Sequence, residues 1–202
     1  MKKFNEKNER YKVFSIENNK NFPYPFSKVL DTNTILYEPN EQGVKLSVNI
    51  DVFVYDNAPN DDKLLSQMYR KAEIYNRIYH FLLYKTKLYN ADKFNPVKNT
   101  IKKICSKISP CFVCKKIVNN SKRYSLKDTC WVGEFLCATK IKASKNIFKE
   151  FVEVNFEGKK YNAPIGWDIW LTCFYQNYME LPPIEKQTSH HLFKAYIDED
   201  KL

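Results

Sequence analysis

Residues 155–196 read NFEGKKYNAPIGWDIWLTCFYQNYMELPPIEKQTSHHLFKAY. In order they give an apolar strand, a tight turn, a second short strand, an aromatic helix, a Pro-Pro stop and a closing His-His helix. The run from Phe156 to Tyr161 alternates and holds one glycine, Gly158, which is the pattern of a hairpin. Gly166 and Asp168 open a helix from Trp167 to about Met179. Its residues Ile169, Trp170, Leu171, Phe174, Tyr175 and Tyr178 make a wide apolar face. Pro182 and Pro183 cannot continue that helix but can start a new one.

Upstream of this stretch the signals change period. Residues 1–10 are polar and predicted to fray. Residues 11–16 alternate and predict a strand. Phe22-Pro23-Tyr24-Pro25-Phe26 must be extended, because each proline biases its predecessor away from helix. Residues 34–38 read as a strand. Residues 44–55 read as a longer one, with Val48, Ile50, Val52 and Val54 on one face and Asn49, Asp51, Phe53 and Tyr55 on the other. Asn60, Asp61 or Asp62 can cap a helix running to about residue 86, with Leu64, Leu65, Met68, Ala72, Tyr75, Ile78, Tyr79 and Leu82 at helical spacing. Residues 96–119 predict one or two further helices, interrupted at Pro110.

The expected fold class is therefore α+β, a small mixed sheet with covering helices. With no repeat and no linker, residues 1–202 are expected to form a single domain: a sheet over 11–56, a helical region over 57–150 and a C-terminal hairpin with helices over 151–202. An apolar share of 44% and a charged share of 28% are ordinary for a soluble protein. No apolar run reaches the length of a membrane span, and the basic start MKKFNEKNERYK has no apolar segment behind it. The reading is a cytoplasmic chain, at most peripheral to the inner face of the membrane. Its six cysteines are then thiols or metal ligands rather than disulfides. The net charge of +10 invites a nucleic-acid partner. The lysines are spread out and form no compact cluster, so a solvated basic face is the better reading of the charge.

The ordered string Phe156-Glu157-Gly158, Pro164, Tyr175-Gln176-Asn177-Tyr178-Met179, Leu181-Pro182-Pro183, Glu185-Lys186 and Ser189-His190-His191 resembles the C-terminal end of the LicD family, the phosphorylcholine-transferase and fukutin-related group. Two upstream segments extend the resemblance over about residues 11–196. They are Tyr24-Pro25-Phe26-Ser27-Lys28-Val29-Leu30-Asp31, and Asn49-Ile50-Asp51-Val52-Phe53-Val54-Tyr55-Asp56 with Val54 where the family prefers proline. The resemblance implies a nucleotidyltransferase-like fold. It also implies transfer of phosphorylcholine, or a related phosphoryl-linked group, from a CDP-activated donor to a cell-surface glycan, either lipopolysaccharide or teichoic acid. That chemistry uses carboxylates that hold Mg²⁺, which neutralises charge on the phosphate.

Asp51 matches the family's strand aspartate and is the expected catalytic and metal position. Lys28 is expected to contact a donor phosphate with Asp31 orienting it, and His190 to assist substrate binding. The family's upstream Gly-Gly segment and Asp-x-Asp pair have no match, and Gln176, Asn177 and Gln187 replace the usual Gly, Asp and Arg. The expectation is an N-terminally incomplete site, inactive alone, with a polypeptide carrying the missing block as partner. A non-catalytic basic or zinc-stabilised binding module is the alternative. Cys111 and Cys114 have zinc spacing and Cys130 and Cys137 can supply a second pair. The second pair is not a CxxC and free cysteine is a common core residue, so the balance goes against zinc.

Overall fold

The computed structural model describes residues 1–37, 46–83, 108–124, 129–137, 139–187 and 194–198. Helices and antiparallel strands are mixed, as the α+β reading requires. The chain divides into two compact units, Met1–Val54 with Glu73–Asn119 and Ser189–Leu202, and Tyr55–Ala72 with Asn120–Thr188.

The first unit starts with a short helix, α1 (Lys2–Lys7), and a three-stranded antiparallel sheet. Its strands are β1 (Tyr11–Phe14), β2 (Ser27–Asp31) and β4 (Asn49–Val52), in the order β1-β2-β4. β3 (Thr34–Tyr37) pairs antiparallel with β10 (Lys194–Ile197), and Leu36 also bridges Leu46. Beside them Phe22, Tyr24, Leu36 and Leu46 form a buried cluster, with Phe14 and Phe26 packed against it. Pro23 and Pro25 account for its regularity. They keep the 22–26 backbone extended, and the rings of Phe22, Tyr24 and Phe26 follow one another at centroid spacings of 5.1 and 5.6 Å. Full burial of each such side chain contributes roughly 1.5–3 kcal/mol.

The second unit holds the sheet β5 (Asp56–Ala58), β6 (Trp131–Gly133) and β7 (Lys142–Ser144), and the hairpin β8 (Phe151–Phe156) with β9 (Lys159–Pro164). Glu157 and Gly158 join the hairpin, with φ of 49° and 75°. Two consecutive residues of positive φ suit the right-handed twist of the strands, and glycine takes the second at no steric cost. The carboxylate of Glu134 is buried and organises the loop after β6. Its Oε1 accepts the N–H of Leu136 at 2.6 Å and of Cys137 at 2.8 Å, and Oε2 accepts that of Thr139 at 3.0 Å. Three N–H donors offset the cost of burying the charge.

Helix α2 (Asp62–Leu83) forms where the apolar line placed it, its expected end at about residue 86 lying outside the described residues, and Asp61 Oδ1 accepts the N–H of Leu64 at 2.8 Å as its cap. Helix α3 (Pro110–Ser121) begins at the proline that was expected to interrupt it. Proline is well placed in a first turn, where its missing N–H is not needed. Residues 96–107 of the predicted helical stretch lie outside the described residues. Helix α4 (Trp167–Tyr175) stops short of Met179 because Gln176 adopts φ 58°.

The closing helix differs from expectation. Residues 188–193 lie outside the described residues, but Lys194–Ile197 is a strand. Ala195 faces Leu36 and Tyr196 faces Ile35, and the ring of Tyr196 meets that of Tyr37 edge-on at 5.8 Å. Cross-strand pairing of aromatic and branched residues outweighs helical spacing there.

Candidate functional site

The site is built on β2 and β4. In the antiparallel register Lys28 lies directly opposite Asp51, and Leu30 opposite Asn49. Alternation along each strand puts these four side chains on one face of the sheet. The Lys28 ammonium donates to Asp51 Oδ1 at 2.8 Å and to Asn49 Oδ1 at 3.0 Å. It also lies over the Tyr24 ring, 4.5 Å from the centroid, and 5.4 Å from that of Phe26. An ammonium held by a carboxylate, an amide oxygen and two ring faces has exchanged most of its water for fixed partners. The Lys28 side chain is only 9% exposed and that of Asp51 36%, so the cation is enclosed while the carboxylate keeps a solvent-facing side.

On the other face β4 and the residues flanking it are apolar and exposed. Ile50 is 71% exposed, and Val48, Val52 and Val54 are exposed with it. β4 ends its sheet, and its outer edge pairs with no strand among the described residues.

The expected pairing of Lys28 with Asp31 is not formed. Three positions apart on one strand, the two side chains project from opposite faces. Asp31 is instead held by Arg10, whose Nε donates to Oδ1 at 2.9 Å and Nη2 to Oδ2 at 2.7 Å. Hydrogen bonding to Arg10 holds the Asp31 carboxyl below its ordinary value of 3.8. A depressed carboxylate stabilises the fold above its unfolded pKa, and that contribution disappears as pH falls through the folded one. The stability difference between wild type and Asp31→Asn is therefore expected to be constant well above pH 3.8 and to vanish on acidification below it. Thermal melts of both proteins across pH check this, and a difference that persists at low pH overturns it.

His190 lies outside the described residues. Cys111 and Cys114 belong to the first unit; Cys130 and Cys137, both exposed, belong to the second. Among the described residues no three His, Cys, Asp or Glu side chains gather as a metal site. The fit to Mg²⁺ is accordingly poor at Asp51. One carboxylate already paired with an ammonium does not supply the oxygen set that a hard dication takes. The residues that sequence reasoning missed are Asn49, Tyr24, Phe26 and Arg10. Asn49 was within reach, since it shares the alternating face of Asp51. The two rings were read as extended backbone and as part of a family-like segment but given no place in the site, and nothing in the spacing tied Arg10 to Asp31.

No family profile matches the chain. Among curated proteins it is 28% identical over 205 residues to the lipopolysaccharide cholinephosphotransferase LicD of Haemophilus influenzae, an alignment that covers 96% of this chain and 73% of that protein. No solved structure matches. Among the described residues, no helix is long and apolar enough to cross a membrane.

Proposed function

We propose that the chain, which is similar to LicD over nearly its whole length, is a member of that family and takes part in transferring phosphorylcholine, or a related phosphoryl-linked group, from a CDP-linked donor to a hydroxyl of a cell-surface glycan, with lipopolysaccharide the favoured acceptor. The observation that carries the reading is the likeness to LicD over nearly the whole chain, together with Asp51 on the strand where the family keeps a carboxylate. The second part of the proposal is that the described site is incomplete. A single carboxylate neutralised by Lys28 cannot organise a nucleoside diphosphate by itself. The edge of β4, unpaired among the described residues, and its exposed Ile50 and Val52 suit a further strand, supplied by a polypeptide that brings the remaining carboxylates, and Mg²⁺ with them.

The experiment is calorimetry with CDP-choline and Mg²⁺ on the chain alone, followed by a transfer assay that reads CMP release and phosphorylcholine on lipopolysaccharide. The chain alone is expected to bind weakly and to turn nothing over. Adding a polypeptide with the family's Gly-Gly and Asp-x-Asp segment is expected to start the reaction. Tight binding by the chain alone, lost in Asp51→Ala, would show the site to be complete. Silence in every combination removes the transferase reading itself.

A further inference from the structure

The Cys111-Phe112-Val113-Cys114 motif plays no part in the chemistry above, and the structure sets it in a particular place. It fills the first turns of α3. The Ser109 hydroxyl accepts the N–H of Cys111 at 3.3 Å, and the Ser109 carbonyl accepts that of Phe112 at 3.0 Å. The helix is thus capped immediately before the motif, with Pro110 in the first turn.

Residues three apart on a helix share a face. Their Cα atoms stand about 5 Å apart, inside the range that a disulfide bridges. The two sulfurs have unequal surroundings. Cys111 is partly exposed, whereas Cys114 is completely buried. Burial, and then the neighbouring Cys111, pushes the Cys114 thiol up to about 12. One thiol is reachable from solvent and the other is closed to it.

We propose that Cys111 and Cys114 form a redox-active dithiol, in which Cys111 exchanges with small disulfides and Cys114 resolves the product. The Cys111 thiolate attacks one sulfur of a low-molecular-weight disulfide. That S–S bond breaks, a mixed disulfide forms on Cys111 and one small thiolate leaves. Cys114 gives its proton to water and attacks Cys111 Sγ, which closes the intramolecular bond and releases the second small thiolate. Two protein thiols are oxidised and one small disulfide is reduced to two thiols. Exchange proceeds through a mixed disulfide because thiolate attack is the step available to such a pair.

The pair is linked to the carboxylate site through the aromatic cluster. The Cys111 Sγ–H donates to the Phe22 carbonyl at 3.5 Å. The Phe22 ring meets Tyr24, and Tyr24 lies under the Lys28 ammonium that holds Asp51. Oxidation removes the donor from Phe22, so the aromatic cluster reports the redox state whether or not the chain is a transferase.

The test equilibrates the full chain in mixtures of reduced and oxidised dithiothreitol or glutathione. Samples are quenched with acid, alkylated, digested and mapped by mass spectrometry, and near-UV circular dichroism is followed in parallel. The expected product is a Cys111–Cys114 disulfide, two hydrogens lighter, that titrates reversibly while Cys130, Cys137 and Cys173 remain open to alkylation. With glutathione disulfide, Cys114→Ser is expected to accumulate the mixed disulfide at Cys111 at least about tenfold over wild type, because the resolving sulfur is gone. Cys111→Ser is expected to leave Cys114 unmodified in the folded chain, with far-UV circular dichroism confirming the fold of both variants. The proposal falls if both thiols stay reduced in the fully oxidised buffer, if wild type also stops at the mixed disulfide, or if Cys111 pairs with a cysteine other than Cys114.

Discussion

Asp51→Ala is expected to destabilise the protein by about 2–3 kcal/mol, whereas Lys28→Met is expected to cost less than about 1 kcal/mol. The asymmetry follows from exposure. Removing Asp51 leaves an enclosed ammonium with, among the described residues, Asn49 and two ring faces for partners. Removing Lys28 leaves a carboxylate that still reaches water, since the Asp51 side chain is 36% exposed. Orphaning a charge in a fully buried pair costs about 3–5 kcal/mol. The figure for Asp51→Ala is set lower because solvent screens the exposed end of this pair. A methionine at position 28 keeps the stem volume and places a polarizable sulfur against Tyr24 and Phe26. Urea melts of the two single variants and the double variant decide the matter. Equal costs for the two single changes would mean that the pair is held as a surface contact. In a reconstituted transfer assay, Asp51→Asn keeps the shape and removes the charge. There it is expected to lower turnover by about 10² or more, as loss of a group stabilising developing charge does.

The second large effect is expected at Gly166. A Cβ built there lies 2.2 Å from Ile147 Cβ, 2.6 Å from its Cγ2 and 2.8 Å from its Cα. Ile147 is buried against Val132 and Ala143, with Tyr55, Phe148 and Trp170 packed around them, and a clash with Cα and Cβ cannot be relieved by turning the side chain. The Gly166 N–H also donates to the Ile147 carbonyl at 3.0 Å, which fixes the close approach. Gly166→Ala is expected to cost about 2–4 kcal/mol and to lower Tm by about 5–15 °C, the behaviour of an overpacked core. Gly158→Ala is the control. Its φ is positive but nothing lies within 4 Å of the new Cβ, so only backbone strain of about 1–2 kcal/mol is expected. If circular dichroism melts find Gly166→Ala no worse than Gly158→Ala, the packing of α4 on Ile147 is looser than described.

Much of this architecture was legible in the residues. The hairpin followed from alternation interrupted by Gly158, and α2 from its apolar line and its cap. Alternation also set Asp51 opposite the valine face. Other features were hidden because they are decided between segments. Alternation runs from 44 to 55, but it carries no register, and the ladder to β2 ends at Val52 while Asp56–Ala58 joins another sheet. β2 itself is a five-residue strand with a charge at position 28, too short and too polar to announce itself. The pairings of Lys28 with Asp51 and of Arg10 with Asp31 are cross-strand facts. The family-like segment suggested Lys28 with Asp31, a contact that the pleat of a single strand forbids.

The pairing of β3 with β10 has a consequence for how the chain is made. Its partners, Thr34 with Ile197 through Tyr37 with Lys194, lie about 160 positions apart, whereas those of the hairpin lie at most 13 apart. Closing the larger loop costs roughly 2 kcal/mol more of chain entropy. On a ribosome adding roughly 5–20 residues per second, β3 waits on the order of ten seconds or more for its partner to be synthesised. For that interval the backbone edge of β3 that β10 will pair lacks its partner, while the Leu36 side chain can already pack on Phe22, Tyr24 and Leu46. The first unit is therefore completed last, although most of its sheet is translated first.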